Sequence, residues 1–267
     1  MIDGALPYLR CPVCRQPLER AGRALRCANR HSFDMAKQGY ADLTAGRMPH
    51  VGDTAEMIAD RAAFLGAGHY AFIAAALAAS AGAPDGLIVD AGTGTGDYLA
   101  TVLDHAPQAV GLGLDVSKPA LRRAARAHDR AAAVLTDLWR PLPLADRAAS
   151  VILDVFAPRN GAEFRRVLRP DGVLLVVTPG PDHLRELIDA HDLIQVDPEK
   201  ESRVREALGD HFEPSDATPL SRELDLTADE VRTLIGMTPS ARHVAAVRPA
   251  EPARVTASVL VTAYHPA

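Results

Sequence analysis

The sequence predicts a doubly wound α/β domain with a mostly parallel sheet, preceded by a small metal-stapled segment. Three observations predict it. From Leu87 onward, short β-rich runs alternate with amphipathic helical stretches. A glycine-rich loop, Asp90-Ala91-Gly92-Thr93-Gly94-Thr95-Gly96, separates the first run from the first helix. Upstream of both, Cys11, Cys14, Cys27 and His31 stand at C-x2-C-x12-C-x3-H spacing in a turn-rich stretch.

A chain of 267 residues, 48% of them apolar, suits one sizeable domain with a small appendage. The expected division is a metal-binding module at 1–45, a helical linker at 46–84 and the α/β domain at 85–267. Gly46 to Asp53, with two glycines and Pro49, reads as the linker's loop. Met57, Ile58, Ala62 and Leu65 then recur at helical spacing. After a break at Gly66-Ala67-Gly68, Ala71 to Ala79 continues the helical pattern. Strands are expected at Leu87–Asp90, Ala109–Asp115, Ala132–Leu135, Ser150–Phe156 and Val173–Thr178. Helices are expected at Gly96–His105, Lys118–His128, Gly161–Leu168 and Pro181–His191. Near the end, Arg222–Leu226 reads as a strand, and Thr227 with Glu230 three residues on opens a helix as a capping box. The alternating, β-branched Val255–Tyr264 suits a final strand.

Charge is unevenly spread. Residues 1 to 50 hold eight Lys/Arg against four Asp/Glu, so this part is net +4 and the rest of the −5 chain is net −9. A basic knob on an acidic body suits an appendage that contacts a polyanion. No apolar run is long enough to span a bilayer; Ala71 to Ala83 is short and interrupted by Ser80 and Gly82. The N-terminus lacks signal-peptide order, so no membrane partner and a cytoplasmic location are expected.

In the metal constellation, Cys11 and Cys14 form a knuckle pair, and Cys27 with His31 supplies the second pair. A closed tetrahedral Cys3His set is the signature of structural Zn2+. A redox Cys-x-x-Cys would need neither the third cysteine nor the histidine.

The glycine loop points to a nucleoside cofactor. Acidic Asp90 precedes it directly, and a second strand ends in Asp115, where a carboxylate can accept both ribose hydroxyls. A third strand ends at Thr136-Asp137, where a carboxylate can face an adenine amino group. Gly92, Gly94, Thr95 and Gly96 let the backbone approach the ligand closely. A dinucleotide loop would read G-x-G-x-x-G and place a pyrophosphate at the helix N-terminus. Here the third glycine comes one residue early and acids flank the loop. S-adenosylmethionine (SAM) is therefore the expected cofactor, and the fold class is a class I (Rossmann-like) SAM-dependent methyltransferase with a seven-stranded, mostly parallel sheet.

Taken together, these motifs resemble the bacterial 23S rRNA (guanine-N1)-methyltransferase family, along essentially the whole chain. Cys11, Cys14, Cys27 and His31 match its zinc ligands, and His31-Ser-Phe-Asp-Met-Ala-Lys-Gln-Gly-Tyr40 matches the segment that follows. Gly52-Asp53-Thr-Ala-Glu-Met57 and Phe64-Leu-Gly-Ala-Gly-His-Tyr70 match the helical connector. Phe156-Ala157-Pro158 stands where amino-directed methyltransferases carry an Asn-Pro-Pro-Tyr type motif, and Thr178-Pro-Gly-Pro-Asp-His183 follows the fifth strand. The resemblance implies cofactor contacts at Tyr70 and His183. It also implies a 23S rRNA hairpin in the peptide exit tunnel as substrate, no DNA partner, and a homodimer whose zinc modules frame an RNA-binding cleft. The Val155-to-Gly161 run leans toward the Gram-positive subgroup, which includes enzymes that contribute to tylosin-type macrolide resistance.

Guanine N1 carries a proton at neutral pH and must lose it before attacking a methyl group. Asp154, at the end of the fourth strand, is the candidate base, with His183 as the alternative. Asp154 departs from the asparagine or basic residue that the resemblance leads one to expect there. Tyr70 and Phe156 are candidates to line the pocket or stack on the base. Arg10, Arg15, Arg23, Arg26, Arg30 and Lys37 are candidates to hold RNA phosphates. Two other classes also fit parts of the pattern: a small-molecule methyltransferase with a structural zinc site, and a non-catalytic RNA-binding factor. The intact Asp90, glycine loop and Asp115 weigh against the latter.

Overall fold

The computed structural model describes every residue except Met1, Arg47, Asp192, Val196, Pro198 and 243–250. The chain opens with α1 (Ile2–Ala5) and an antiparallel ribbon of β1 (Leu18–Ala21), β2 (Ala24–Cys27) and β3 (Ser32–Asp34). The two-residue strand β4 (Ala41–Asp42) follows, then the linker helices α2 (Ala55–Gly66) and α3 (Ala71–Ala81), bent by 78° at the break between them. Thr54 caps α2 by accepting a hydrogen bond from Met57 N. No single described helix is long and apolar enough to cross a membrane.

The α/β part runs β5 (Gly86–Ala91), α4 (Asp97–His105), β6 (Ala109–Asp115), α5 (Lys118–Ala124), β7 (Ala131–Leu135), β8 (Ala149–Val155), α6 (Gly161–Val167) and β9 (Leu168–Pro179). It continues with α7 (Arg185–His191), α8 (Lys200–Leu208), β10 (Phe212–Leu226), α9 (Ala228–Gly236) and β11 (Ala253–Pro266). The main sheet has eight strands in the order β10-β11-β9-β8-β5-β6-β7-β4. From β9 to β4 neighbours are parallel, while β11 pairs antiparallel with both β9 and β10. Seven strands are those expected of the fold class. The eighth, β4, comes from the N-terminal module and is too short to leave a periodic signal.

Strand β5 explains why the runs read as apolar throughout. Leu87, Val89 and Ala91 join one hydrophobic cluster and Ile88 joins the other, because alternate side chains point to opposite faces and both faces are covered. Helices α2, α3, α4, α7 and α9 pack on the Ile88 side. On the other side, α6 and α8 contribute Phe164, Val167, Val204 and Leu208. The crossover from β7 to β8 holds no helix. The N-terminal module takes that place: Leu9, Leu18, Leu25 and Phe33 share a cluster with Leu112, Leu114, Val134 and Leu144. Backbone bonds seal the contact, with Arg10 N donating to Pro143 O at 2.9 Å and Ala145 N to Tyr8 O at 2.8 Å. Arg15 adds two more from its guanidinium, to Leu142 O and Leu144 O, each at 2.6 Å.

Several element ends differ from the sequence expectation. The helix expected to reach His128 stops at Ala124 and tightens into turns, where Gly96 lies against Ala124 and Ala127. The helix expected from Pro181 begins at Arg185, since Leu184 takes a left-handed φ of 57°. Strand β9 starts at Leu168, directly after α6, with a register irregularity before Val173. Arg222–Leu226 is only the end of 15-residue β10. Pro214, Pro219 and its many charges disguise β10 as loop, but an edge strand tolerates both features. The capping box at Thr227 and Glu230 forms as expected.

Candidate active site and metal centre

The ribbon β1–β3 brings the four metal-type ligands together. Their donor atoms all lie within 4.8 Å of one another. Cys14 Sγ is 3.7 Å from Cys27 Sγ, and His31 Nδ1 is 3.5 Å from Cys11 Sγ and 3.3 Å from Cys27 Sγ. A tetrahedron with zinc–sulfur bonds of about 2.3 Å has edges of roughly 3.8 Å, so the set fits one ion with no position left open. The knuckle is tied by Arg15 N donating to Cys11 O and Cys11 N to Gln16 O. Burial pushes the Cys11 thiol up, whereas the Gln16 backbone N–H leads the effects that bring Cys14 down to about 6. A closed site of this kind is structural, holding together a segment too small to fold on its own core.

The second site is a cleft of about 700 Å3 at the carboxyl edge of the parallel strands, where doubly wound folds place their ligands. Its floor is the glycine loop. Gly92 sits at φ 79°, and a Cβ there would fall 2.5 Å from Ala157 Cβ, so no other residue fits between loop and wall. Asp90 is buried beneath the loop and accepts a hydrogen bond from Thr93 Oγ1 at 2.6 Å. Burial pushes its carboxyl up to about 7, with the Thr93 bond opposing. Asp115 accepts from Gly94 N at 2.9 Å and from Ser117 N at 2.8 Å, and burial raises it too. Asp137 is buried, accepts from Trp139 N at 3.0 Å, and lies 2.8 Å from His50 Nδ1. Across the cleft, Tyr70 OH is 3.5 Å from His183 Nε2. Burial drives His183 down to about 4, leaving the imidazole neutral near pH 7. Tyr70, Gly92, Gly94, Thr95, Asp115, Asp137 and His183 all line this one cleft, while Asp90 and Gly96 support its floor.

Asp154 is placed differently. It has no exposed surface, forms an ion pair with Arg159 Nε at 3.2 Å, and stands behind the cleft wall rather than in it. Enclosed in this way, the carboxylate expected as the candidate base presents no surface to the cleft. Phe156, two residues on, does face the cleft. It is 41% exposed and held at φ 53°, a strained value for an aromatic residue. Of the six basic residues weighed for phosphate contact, Arg15 is committed to the Leu142 and Leu144 carbonyls and Arg10 to those of Pro7 and Leu9. Arg23, Arg26, Arg30 and Lys37 are exposed.

Among the cleft residues that sequence reading did not single out are His50, Arg61 and Trp139. Arg61 left a signal. It falls between buried Met57 and Phe64 on the inward face of α2, where the helical pattern calls for an apolar residue. Trp139, the chain's single tryptophan, is 54% exposed beside Asp137, and nothing in its neighbourhood marks it in sequence.

Strand order, glycine loop and acid-lined cleft define a class I SAM-dependent methyltransferase carrying a zinc ribbon. A solved Haloferax volcanii complex of the Trm112 methyltransferase activator with a methyltransferase matches at TM-score 0.54 and 17% identity, over 81% of this chain and 98% of that one. At that identity the likeness concerns the fold alone. The zinc-ribbon family profile described as "RlmA, N-terminal" matches residues 9–45. A Streptomyces fradiae protein named 23S rRNA (guanine(748)-N(1))-methyltransferase is 48% identical over 91% of this chain and 89% of its own length. A Micromonospora griseorubida protein, provisionally named a 23S rRNA (guanine-N(1)-)-methyltransferase, is 55% identical over 98% of both chains. The chain belongs to the 23S rRNA (guanine-N1)-methyltransferase family.

Two outcomes follow. Metal analysis of the purified chain is expected to give one zinc per molecule. Chelation, or Cys27→Ser, is expected to unfold the ribbon and strip cover from Leu112 and Leu114, read as new binding of a hydrophobic dye. Retention of full native stability after metal removal would contradict this. The second concerns Asp90, whose folded pKa of about 7 exceeds its ordinary 3.8. The folded state then binds the extra proton, so stability falls as pH rises between those values and levels off above them. Urea unfolding of Asp90→Asn is expected to lack that slope, worth up to about 1.4 kcal/mol per pH unit.

Proposed function

We propose that the protein methylates N1 of a guanine in the exit-tunnel hairpin of 23S rRNA, acting as a cytoplasmic homodimer. The observation that carries the reading is the joining of two devices in one core: a basic zinc ribbon packed on the sheet that bears a SAM-type cleft. SAM supplies the methyl group. Asp115 would accept the ribose hydroxyls, Asp137 would face the adenine amino group, and Tyr70 and His183 would close the methionine side. The target N1 lies on the pairing edge, so the guanine must be unpaired or turned out of its helix. Phe156 offers the ring on which it stacks, next to His183 with ring centroids 5.8 Å apart. His183, neutral near pH 7, would take up the proton that N1 must lose for its lone pair to attack. Asp154, through Arg159, braces the turn that presents Phe156 and acts as a positioning residue. Arg23, Arg26, Arg30 and Lys37 grip phosphates, so binding weakens with rising salt. The resulting methyl group contributes to tylosin-type macrolide resistance.

The test is incubation of the zinc-loaded enzyme with labelled SAM and unmodified 23S rRNA, followed by primer extension. N1-methylguanine cannot pair, so a new stop at the tunnel hairpin is expected, and a product without one overturns the assignment. Phe156→Ala is expected to slow methylation about 10- to 100-fold while leaving SAM affinity unchanged. Sedimentation as a monomer at micromolar concentration would remove the dimer.

A further inference from the structure

Among the described residues, the cleft is lined by five aspartates, Asp53, Asp97, Asp115, Asp137 and Asp197, and by one Lys/Arg side chain, Arg61. Aspartates suit the hydroxyls, the adenine amino group and the two positive centres of SAM. They repel its single carboxylate, which needs a cation. Arg61 stands on the inward face of α2 with its guanidinium against the glycine loop. A Cβ built on Gly94 would lie 3.1 Å from its Nη1. From the other nitrogen, Nη2 is 2.7 Å from Asp53 Oδ2 and donates to Met237 O at 3.0 Å. Thus Nη2 is anchored to the linker and to the end of α9, and Nη1 is the nitrogen turned to the loop.

We propose that Arg61 binds the carboxylate of the cofactor's methionine part. Nη1 presents charge-assisted N–H donors to a carboxylate, and the anchored Nη2 limits the freedom lost on binding. Asp53 holds the arginine oriented. With Asp115 at the end of β6 placed to take the ribose, the methionine part would lie along the loop at Gly92 and Gly94 and bring its carboxylate to Nη1. The inference rests on the reading of the cleft as a SAM site.

The experiment compares two ligands by calorimetry on the full zinc-loaded chain. S-adenosylhomocysteine keeps the amino-acid carboxylate; 5′-methylthioadenosine keeps the nucleoside and thioether but lacks it. In Arg61→Ala, the Kd for S-adenosylhomocysteine is expected to rise about 10- to 100-fold, with that for methylthioadenosine within about two-fold of wild type. Arg61→Lys is expected to fall between. If the alanine variant does not fold, Arg61→Gln, which keeps most of the side chain's length, gives the same comparison. Equal loss for both ligands would show that Arg61 only shapes the cleft and overturns the proposal, as would unchanged affinity for S-adenosylhomocysteine. Wild-type protein that binds neither ligand overturns the cofactor reading and this inference with it. Wild-type binding without an Arg61 effect overturns this inference alone.

Discussion

The structure depends on how one bare face of a parallel sheet is covered. Crossovers in doubly wound folds normally lay a helix on the sheet, but the β7–β8 crossover holds none. Leu9, Leu18, Leu25 and Phe33 of the zinc ribbon fill the gap against Leu112, Leu114 and Val134. Those side chains come from short strands that cannot bury enough surface to hold their own shape, so the metal ligands hold it for them. The zinc ribbon is therefore part of the enzyme's core and not only an appendage to it.

The same packing decides where the chain goes next. Strand β4 pairs parallel to the end of β7, with Leu43 N donating to Leu135 O. A parallel partner leaves the sheet at its carboxyl edge, where the cleft opens. The linker arrives there with His50 on Asp137 and with Asp53 on Arg61. The ribbon and the cofactor cleft are thus connected by about ten residues, each end fixed by sheet pairing or ion pairing. RNA held by exposed arginines of the ribbon and a base bound at Phe156 would share one rigid frame.

Methyl transfer from a sulfonium needs little help with its leaving group, so orientation is the main task. The cleft is built for it. Gly92 brings the loop against Ala157, and the Asp154–Arg159 pair stands behind the turn carrying Phe156. Strain at Phe156 persists only because the surrounding structure holds it, and it turns the ring into the cleft. Of the large apolar side chains left exposed among the described residues, Val51, Trp139, Phe156 and Ile194 all line this cleft. That apolar mouth suits a flat base more than a phosphate.

Much of this was legible in the sequence because it depends on local spacing. Cys11, Cys14, Cys27 and His31 are ligands at fixed separations, and the loop from Asp90 to Gly96 is one strand-to-helix turn. Short β-rich runs located β5 to β9 because burial on both faces leaves them continuously apolar. Edge strand β10 was read only at its end, since its solvent-facing charges and prolines carry no such pattern. Asp154 shows the limit most clearly. Its place at a strand end suggested a base, but burial and the Arg159 pair depend on side chains meeting across the fold. Sequence by itself determined the cofactor loop, the metal set and the family. Only the tertiary structure decided that the ribbon replaces a missing helix, that Arg61 meets Gly94, and that Asp154 lies behind the wall, because each is a contact between segments whose separation along the chain carries no signal.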